Sequence, residues 1–305
     1  MAKPVWTTMK ILDWTKQYFG ARGLESPRLD AEVLLCAVLG CSRLDLYVDF
    51  ERPLNEQELA LYRDYVARRG NQEPLAYILG RRAFMRNELK VSPATLVPRP
   101  ETELLVESVI RAAKILVPEG GAKLLDIGTG SGAIIVSLLD YLPDAKGVGT
   151  DISVDALVVA RENAARLGLL DRVGFIYSDL FQKLPLAKKF DIIVANPPYI
   201  PSADIAGLAE DVKKEPRLAL DGGEDGLYFY REITRQAASH LADRGLLAFE
   251  VGLGQSGVVE RLCLEGGFSK TAVRKDYAGI DRMVFALKEA EGESCCENLL
   301  LEITR

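Results

Sequence analysis

The spacing of apolar positions along the chain changes near residue 120. Before that point it is helical. Residues 9–19 carry apolar side chains at helical intervals and stop at Gly20. Pro27 stands where a first turn tolerates proline. Ala31, Val33, Leu34, Leu35, Val38 and Leu39 then give the next segment a core face that ends at Gly40. A short helix over 42–47 and a longer one over 56–69, opened by Asn55 and closed by Gly70, complete an expected helical bundle over residues 1–80. Pro74, Gly80, Pro93, Pro98 and Pro100 punctuate two extended runs at 83–85 and 88–91, which predict a hairpin linker over 81–100. A helix over 101–116 should follow.

From residue 121 short apolar runs alternate with helical segments. Strands are expected near 123–127, 147–150, 173–177, 190–195, 246–251, 270–274 and 283–287, with helices near 133–141, 154–167, 226–241 and 255–265. This alternation over 101–288 predicts an α/β, Rossmann-like domain: an open, mostly parallel seven-stranded sheet with helices on both faces. The last two strands have no helix between them and should pair antiparallel at one edge. Residues 289–305, Glu-rich at the start, read as a loosely attached tail.

Composition narrows the chemistry. A chain of 305 residues with 48% hydrophobic and 27% charged residues can bury a core in two domains without staples. Its five cysteines form no C-x-x-C pair, and its single histidine, His240, lies in an expected helix. A zinc site or a His-dependent nucleophile is therefore not expected. Scattered thiols fit a reducing cytosol. No apolar run approaches the ~20 residues of a membrane span, and the N-terminus lacks a signal-peptide pattern. The expectation is a cytoplasmic protein with no membrane association. The net charge is −6, unevenly spread: residues 1–100 hold 15 Lys and Arg against 12 Asp and Glu, and the remainder 23 against 32. Arg63, Arg68, Arg69, Arg81, Arg82 and Arg86 cluster; a solvated face is the plainer reading and a docking surface for an acidic or RNA-bearing partner the sharper one. A protein gripping long nucleic acid shows a stronger basic face than this.

The strand ending Asp126-Ile127 runs into Gly128-Thr129-Gly130-Ser131-Gly132-Ala133 and then a helix. Glycines let backbone turn sharply and approach a ligand closely. Such a ligand sits at the carboxyl ends of the strands, where strand order reverses. Asp151 ends the second strand, where its carboxylate can accept both hydroxyls of an adenosine ribose. This pattern fits either NAD or S-adenosylmethionine. Three features favour S-adenosylmethionine. Asp126 suits a cationic amino group and would repel a pyrophosphate. Asp179 ends the third strand and can accept from an adenine amino group, although it can also cap the turn Ser178-Asp179-Leu180-Phe181. No His or Tyr–Lys pair offers hydride chemistry.

The strand over 190–195 ends in Asn196-Pro197-Pro198-Tyr199. An amide or exocyclic amine nitrogen is a poor nucleophile because its lone pair is delocalised. A catalyst must hold both N–H groups and turn the nitrogen toward the methyl donor. The Asn196 carbonyl oxygen can accept one N–H and the Pro197 carbonyl the other, held rigidly by two fixed proline φ angles. Tyr199 can pack on the flat face of the group. Catalysis would come from positioning and from hydrogen bonds that strengthen as the nitrogen becomes positive. No strong base is needed.

With these residues assembled, the chain resembles class I methyltransferases that carry an Asn/Asp-Pro-Pro-Tyr/Phe motif. That group includes nucleic-acid amino-methyltransferases and protein glutamine methyltransferases. The stretches Asp30-Ala31-Glu32-Val33-Leu34-Leu35, Glu73-Pro74-Leu75-Ala76-Tyr77-Ile78-Leu79-Gly80, Leu96-Val97-Pro98-Arg99-Pro100-Glu101-Thr102-Glu103, Glu215-Pro216-Arg217-Leu218-Ala219-Leu220-Asp221-Gly222-Gly223-Glu224-Asp225-Gly226-Leu227 and Arg274-Lys275-Asp276-Tyr277 are similar to the peptide chain release factor glutamine methyltransferases over about residues 8–288. The resemblance implies methylation of the glutamine in the Gly-Gly-Gln tip of bacterial release factors, with a helical N-terminal domain that docks the substrate. It implies a cofactor pocket at Gly128, Thr129, Gly130, Ser131, Gly132, Asp151 and the Asp179-Leu180 region, with Asn196 touching the cofactor as well as the substrate, and with Leu180 standing where some relatives have an aromatic and Phe181 beside it. Substrate residues carry over to Asn196, Pro197, Pro198 and Tyr199. Arg99 and Phe84 are further candidates for the substrate pocket. The alternatives are a ribosomal-protein glutamine methyltransferase and a nucleic-acid amino-methyltransferase; the neutral-to-acidic residues Ser202, Asp204, Glu210 and Asp211 beyond Tyr199 disfavour the second.

Overall fold

The four helices expected before residue 80 form, and a fifth joins them. They are α1 (Thr8–Ala21), α2 (Pro27–Leu39), α3 (Arg43–Val48), α4 (Glu56–Gly70) and α5 (Leu75–Leu79). The computed structural model describes residues 5–288 and 297–304. Ser42 with Asp45, and Asn55 with Glu58, make capping boxes that start α3 and α4. Phe19, Leu34, Leu35, Leu46 and Tyr62 form the bundle core. Two acids of α2 are buried with them, and each has a partner. Asp30 takes the Arg69 guanidinium at 2.7 Å, while Glu32 accepts from Tyr47, Arg28 and Arg43. Against the cost of burial, those hydrogen bonds hold the Glu32 carboxyl at about 2. The Asp30-Ala31-Glu32 stretch is thus a structural signature of the bundle.

The backbone divides into two units: residues up to Arg81 with Ala209–Lys214, and Arg82–Leu208 with the residues from Glu215 on. Within the first unit Asp211 lies 3.3 Å from Arg69, and Lys214 donates to the Asn71 carbonyl at 2.5 Å. Arg68 pairs with Glu73 in the same unit. Arg86, in the second unit, pairs with Asp140. Three of the clustered arginines are therefore committed to internal ion pairs.

In the hairpin, β1 (Arg81–Phe84) and β2 (Asn87–Lys90) begin one or two residues earlier than expected, because Met85 takes a left-handed φ of 51° at the turn. Residues 82–100 are not a free linker. Phe84 and Leu89 are buried in the core of the second unit, and the Asn163 side chain bonds both the N–H and the C=O of Lys90, at 2.7 and 2.9 Å.

The remaining elements are α6 (Pro100–Leu116), β3 (Lys123–Ile127), α7 (Ala133–Tyr141), β4 (Lys146–Asp151), α8 (Val154–Arg166), β5 (Val173–Tyr177), β6 (Phe190–Ala195), α9 (Tyr228–His240), β7 (Leu241–Glu250), α10 (Ser256–Glu265), β8 (Lys270–Lys275), β9 (Asp281–Leu287) and α11 (Glu297–Thr304). The sheet order is β5-β4-β3-β6-β7-β9-β8. Strands β5 through β7 are parallel, and β9 runs antiparallel to both β7 and β8. Strands buried on both faces need no polar alternation. Accordingly Ile192 and Val194 of β6 enter one core layer and Ile193 and Ala195 the other. Strand order reverses at β3, between β4 and β6, which opens a crevice at the carboxyl ends of these strands.

Residues 289–296 lie outside the described residues, but 297–304 are not a loose tail. Leu299, Leu300 and Ile303 of α11 are buried, and the Ser108 hydroxyl of α6 donates to the Ile303 carbonyl at 2.8 Å. Ile303→Ala is expected to destabilise the second unit by about 2–5 kcal/mol, read as a lower denaturant midpoint. An unchanged midpoint would place α11 outside the cooperative unit.

Candidate active site

The crevice holds a cavity of about 240 Å³. Its floor is the loop after β3. Gly128, Gly130 and Gly132 have φ of 70°, 54° and 80°, which favour glycine. A Cβ on Gly128 would meet no protein atom within 4 Å, so the open side of the loop is the cavity itself. Gly132 does not line the cavity. A Cβ there would stand 3.2 Å from the Ala160 Cβ, so this glycine lets the start of α7 pack on α8. The N–H groups of Gly128 and Thr129 donate to the Thr150 carbonyl at 2.9 Å, fastening the loop to the end of β4.

Asp151 completes that fastening. Its Oδ2 accepts from the Gly130 N–H and its Oδ1 from the Ser153 N–H, both at 2.8 Å. Burial raises its carboxyl above the ordinary aspartate value, against the pull of these backbone donors. A carboxylate has about four acceptor sites, so two remain after the loop is held. Thr129, Ser131, Asp179 and Leu180 also face the cavity. Leu180 adopts a left-handed φ of 46°, and its neighbour Phe181 turns away to stack on His240 at 4.7 Å in the core. Of the pair 180–181, Leu180 is the cavity residue. His240 is a core ring, which agrees with its expected structural role.

Asp126 is not brought to the cavity. It is fully buried in β3; its Oδ2 accepts from the Thr129 hydroxyl at 2.6 Å, and its Oδ1 has no hydrogen-bond partner in the structure. Burial pushes its carboxyl up to about 7. Its observed role is to hold the loop threonine from behind.

Across β3 from Asp151 stand Asn196, Pro197 and Pro198, just past β6. Asn196 Nδ2 donates to the Thr102 hydroxyl oxygen at 3.3 Å. Tyr199 does not line this cavity. Its ring packs on the core layer that contains Phe249, and burial pushes its hydroxyl up to about 12. Its carbonyl accepts from the Gln255 side chain at 2.9 Å. Phe84 is likewise a core residue, 1% exposed, and is not part of the cavity wall. Arg99 is on the wall, paired with the buried Glu215, which also accepts from the Val97 N–H at 2.9 Å.

Sequence reasoning named Arg99 but missed its wall neighbours around 94–102, among them Leu96, Pro98 and Thr102, and the wall residues around 216–219, together with Phe229 and Ile233. Both segments belong to motif-like stretches whose roles no spacing rule revealed. The Asp221–Gly226 stretch, similarly unassigned, braces the reacting loop. The Ile200 N–H donates to the Leu220 carbonyl at 3.1 Å and the Gly222 N–H to the Ile200 carbonyl at 2.8 Å. A Cβ on Gly226, whose φ is 74°, would lie 2.3 Å from the Tyr199 carbonyl oxygen. Gly226→Ala is therefore expected to displace the Tyr199 loop. It should lower stability by about 1–3 kcal/mol and turnover at least tenfold. A variant with wild-type melting and turnover would show that the brace is dispensable.

No described helix is long and apolar enough to cross a membrane. Among the described residues no group of three or more His, Cys, Asp or Glu could hold a metal ion.

Comparison with known proteins adds a second line of observation. Residues 10–80 match the family described as PrmC N-terminal domain, and 118–239 match a methyltransferase domain family. A release factor glutamine methyltransferase of Geobacter sulfurreducens is 46% identical over 281 residues, covering 92% of this chain and 96% of that protein. Another, from Caulobacter vibrioides, is 40% identical and covers 90% and 95%. Among solved structures, the T. thermophilus 16S rRNA N2 G1207 methyltransferase in complex with AdoMet and guanosine shares the fold. It has a TM-score of 0.50 at 22% identity, over 68% of this chain and 50% of that one. Identity of 40–46% over nine-tenths of each protein means that the chain belongs to the release factor glutamine methyltransferase family.

Proposed function

We propose that this protein transfers the methyl group of S-adenosylmethionine to the side-chain amide nitrogen of a glutamine in a bacterial translation release factor, at its Gly-Gly-Gln tip. The observation that carries this reading is the placement of Asn196-Pro197-Pro198 in the same cavity as Asp151 and the glycine loop. One end of the cavity suits an adenosyl donor and the other a planar N–H₂ acceptor.

The residues present fit the donor. Asp151 keeps lone pairs for the two ribose hydroxyls after holding Gly130 and Ser153. Ile152, Asp179 and Leu180 line the cavity; Leu180 and Ile152 would give an adenine plane apolar contact, and Asp179 would accept from its amino group. The N-terminal turn of α7 beside Ser131 offers a positive dipole end to a carboxylate. S-adenosylmethionine, when bound, supplies an electrophilic methyl on a sulfonium sulfur.

The chain's own residues do the rest by positioning. Asn196 Oδ1 accepts one N–H of the glutamine amide, and the Pro197 carbonyl accepts the other. Both bonds strengthen as the amide nitrogen takes the methyl, leaving a neutral thioether, and gains positive charge. The nitrogen, made acidic, loses one of its two protons to water as the product is released. Fixing the acceptor in line with the donor replaces a chance encounter with an intramolecular one. Pro98, Pro216 and Leu218 give the cavity part of an apolar wall. The same reading makes the first unit the docking surface for the release factor and places the protein in the cytoplasm.

The test is incubation of the purified protein with labelled S-adenosylmethionine and, separately, release factors, ribosomal proteins and DNA. Label on a release factor is the expected outcome. Label on DNA or on ribosomal proteins alone would reject the substrate assignment.

A further inference from the structure

The Asn196 carboxamide has two chemically opposite ends of nearly identical shape. Transfer requires that its oxygen, not its nitrogen, face the glutamine N–H. Nothing in the Asn-Pro-Pro-Tyr stretch itself selects between the two orientations. The selection comes from two residues far away in sequence. Strands β6 and β7 run parallel with Ala195 beside Phe249, so the following residues, Asn196 and Glu250, end up as neighbours at the carboxyl ends. Thr102, in the first turn of α6, reaches between them. Its hydroxyl donates to Glu250 Oε2 at 2.5 Å, and its oxygen accepts from Asn196 Nδ2 at 3.3 Å.

This relay has a fixed polarity. Burial pushes the Glu250 carboxyl up to about 7, and above that pH, where it is ionised, it only accepts hydrogen bonds. The single Thr102 hydrogen is therefore drawn to Glu250, and a short bond to a carboxylate is roughly twice as strong as a neutral one. The Thr102 oxygen is then left as an acceptor, and the one end of Asn196 that can donate to it is Nδ2. Glu250 is 2% exposed and Thr102 4% exposed, so water has little access with which to scramble the arrangement. Tyr230 fixes the backbone here by donating to the Glu250 carbonyl at 2.9 Å.

We infer that Thr102 and Glu250 are positioning residues that orient the Asn196 carboxamide with its oxygen toward the acceptor amide. The inference rests on the proposed glutamine methylation and assigns a role to two residues outside the Asn-Pro-Pro-Tyr motif. The burial of an acid at the end of β7 beside an asparagine is otherwise costly, since an unpaired buried carboxylate is strongly destabilising.

The test uses the full-length protein, S-adenosylmethionine and a purified release factor. Thr102→Val keeps the shape of the side chain and removes both hydrogen bonds. It should lower kcat by about 10–100-fold, the range expected of a misoriented catalytic group. The KM for release factor and the calorimetric affinity for S-adenosylmethionine should stay within about twofold of wild type. Thr102→Ser, which restores the hydroxyl, should recover most of the lost kcat. Glu250→Gln answers the same question if Thr102→Val does not fold. Its amide can donate as well as accept, so polarity is lost and kcat should fall about tenfold with KM unchanged. Wild-type kcat in Thr102→Val or Glu250→Gln would overturn the inference, as would a loss in Thr102→Val that the serine variant does not recover. A wild-type protein that transfers no methyl to any release factor would instead overturn the proposed function on which it rests.

Discussion

Replacing Asn196 by alanine lowers methyl transfer by at least about 10²–10³-fold, the cost of removing one transition-state hydrogen-bond acceptor or donor from a preorganised site. Under the proposed function the affinity for S-adenosylmethionine changes little, because Asn196 lies across β3 from Asp151, the residue assigned to the donor. The backbone should tolerate the change. Asn196 follows β6, whose Ile192 to Ala195 are buried in both core layers, and Pro197 and Pro198 fix the φ angles beyond it. Single-turnover transfer and calorimetric cofactor binding measured on the same preparation check this. Full transfer by the alanine variant would sink the mechanism. Loss of transfer together with cofactor affinity would mean that Asn196 serves the donor.

The second large effect is expected at Asp151. One carboxylate oxygen holds the Gly130 N–H and the other the Ser153 N–H, so the residue both shapes the glycine loop and faces the cavity. Asp151→Asn keeps the volume but puts an N–H₂ opposite one of those backbone donors. It also removes the charge that makes hydrogen bonds to ribose strong. The dissociation constant for S-adenosylmethionine should rise about 100-fold, corresponding to two charge-assisted hydrogen bonds at about 1.5 kcal/mol each. At saturating cofactor, kcat should fall less than the affinity does. Calorimetry at fixed pH decides it, and an affinity within about threefold of wild type would show that Asp151 supports the loop without touching the donor.

These two residues were legible in the sequence for a common reason. Each lies at the carboxyl end of a strand whose apolar run announces it, and the parallel sheet brings such ends together. The glycine loop was legible because three positive φ angles demand glycine. Side-chain direction was not legible in the same way. Asp126 has the right chemistry for a donor amino group, but it is sealed in β3 behind Thr129. Phe84 and Tyr199 sit beside the right segments, yet their rings turn into core layers. For Leu180 and Phe181 the sequence left two options, and a left-handed backbone at 180 decided between them.

Long-range convergence was hidden for a different reason. Thr102 and Glu250 are 148 residues apart, and Arg99 and Glu215 are 116 apart. Their pairing depends on how the start of α6, the segment between β6 and α9 and the end of β7 return to the same crevice, which no local periodicity encodes. The last helix is the opposite case. Leu299, Leu300 and Ile303 have the spacing of an apolar helix face, but the acidic stretch at 289–293 drew the reading toward a tail.

The central claim is a methyl on a glutamine side-chain amide. It is tested most directly by incubating the protein with a release factor and S-adenosylmethionine, digesting the product and mapping the modification by tandem mass spectrometry. The account predicts one methyl group, on the side-chain nitrogen of the glutamine in the Gly-Gly-Gln tip, absent when Asn196 is alanine. A methyl on any other residue, or an unmodified release factor beside a methylated nucleic acid, would contradict it.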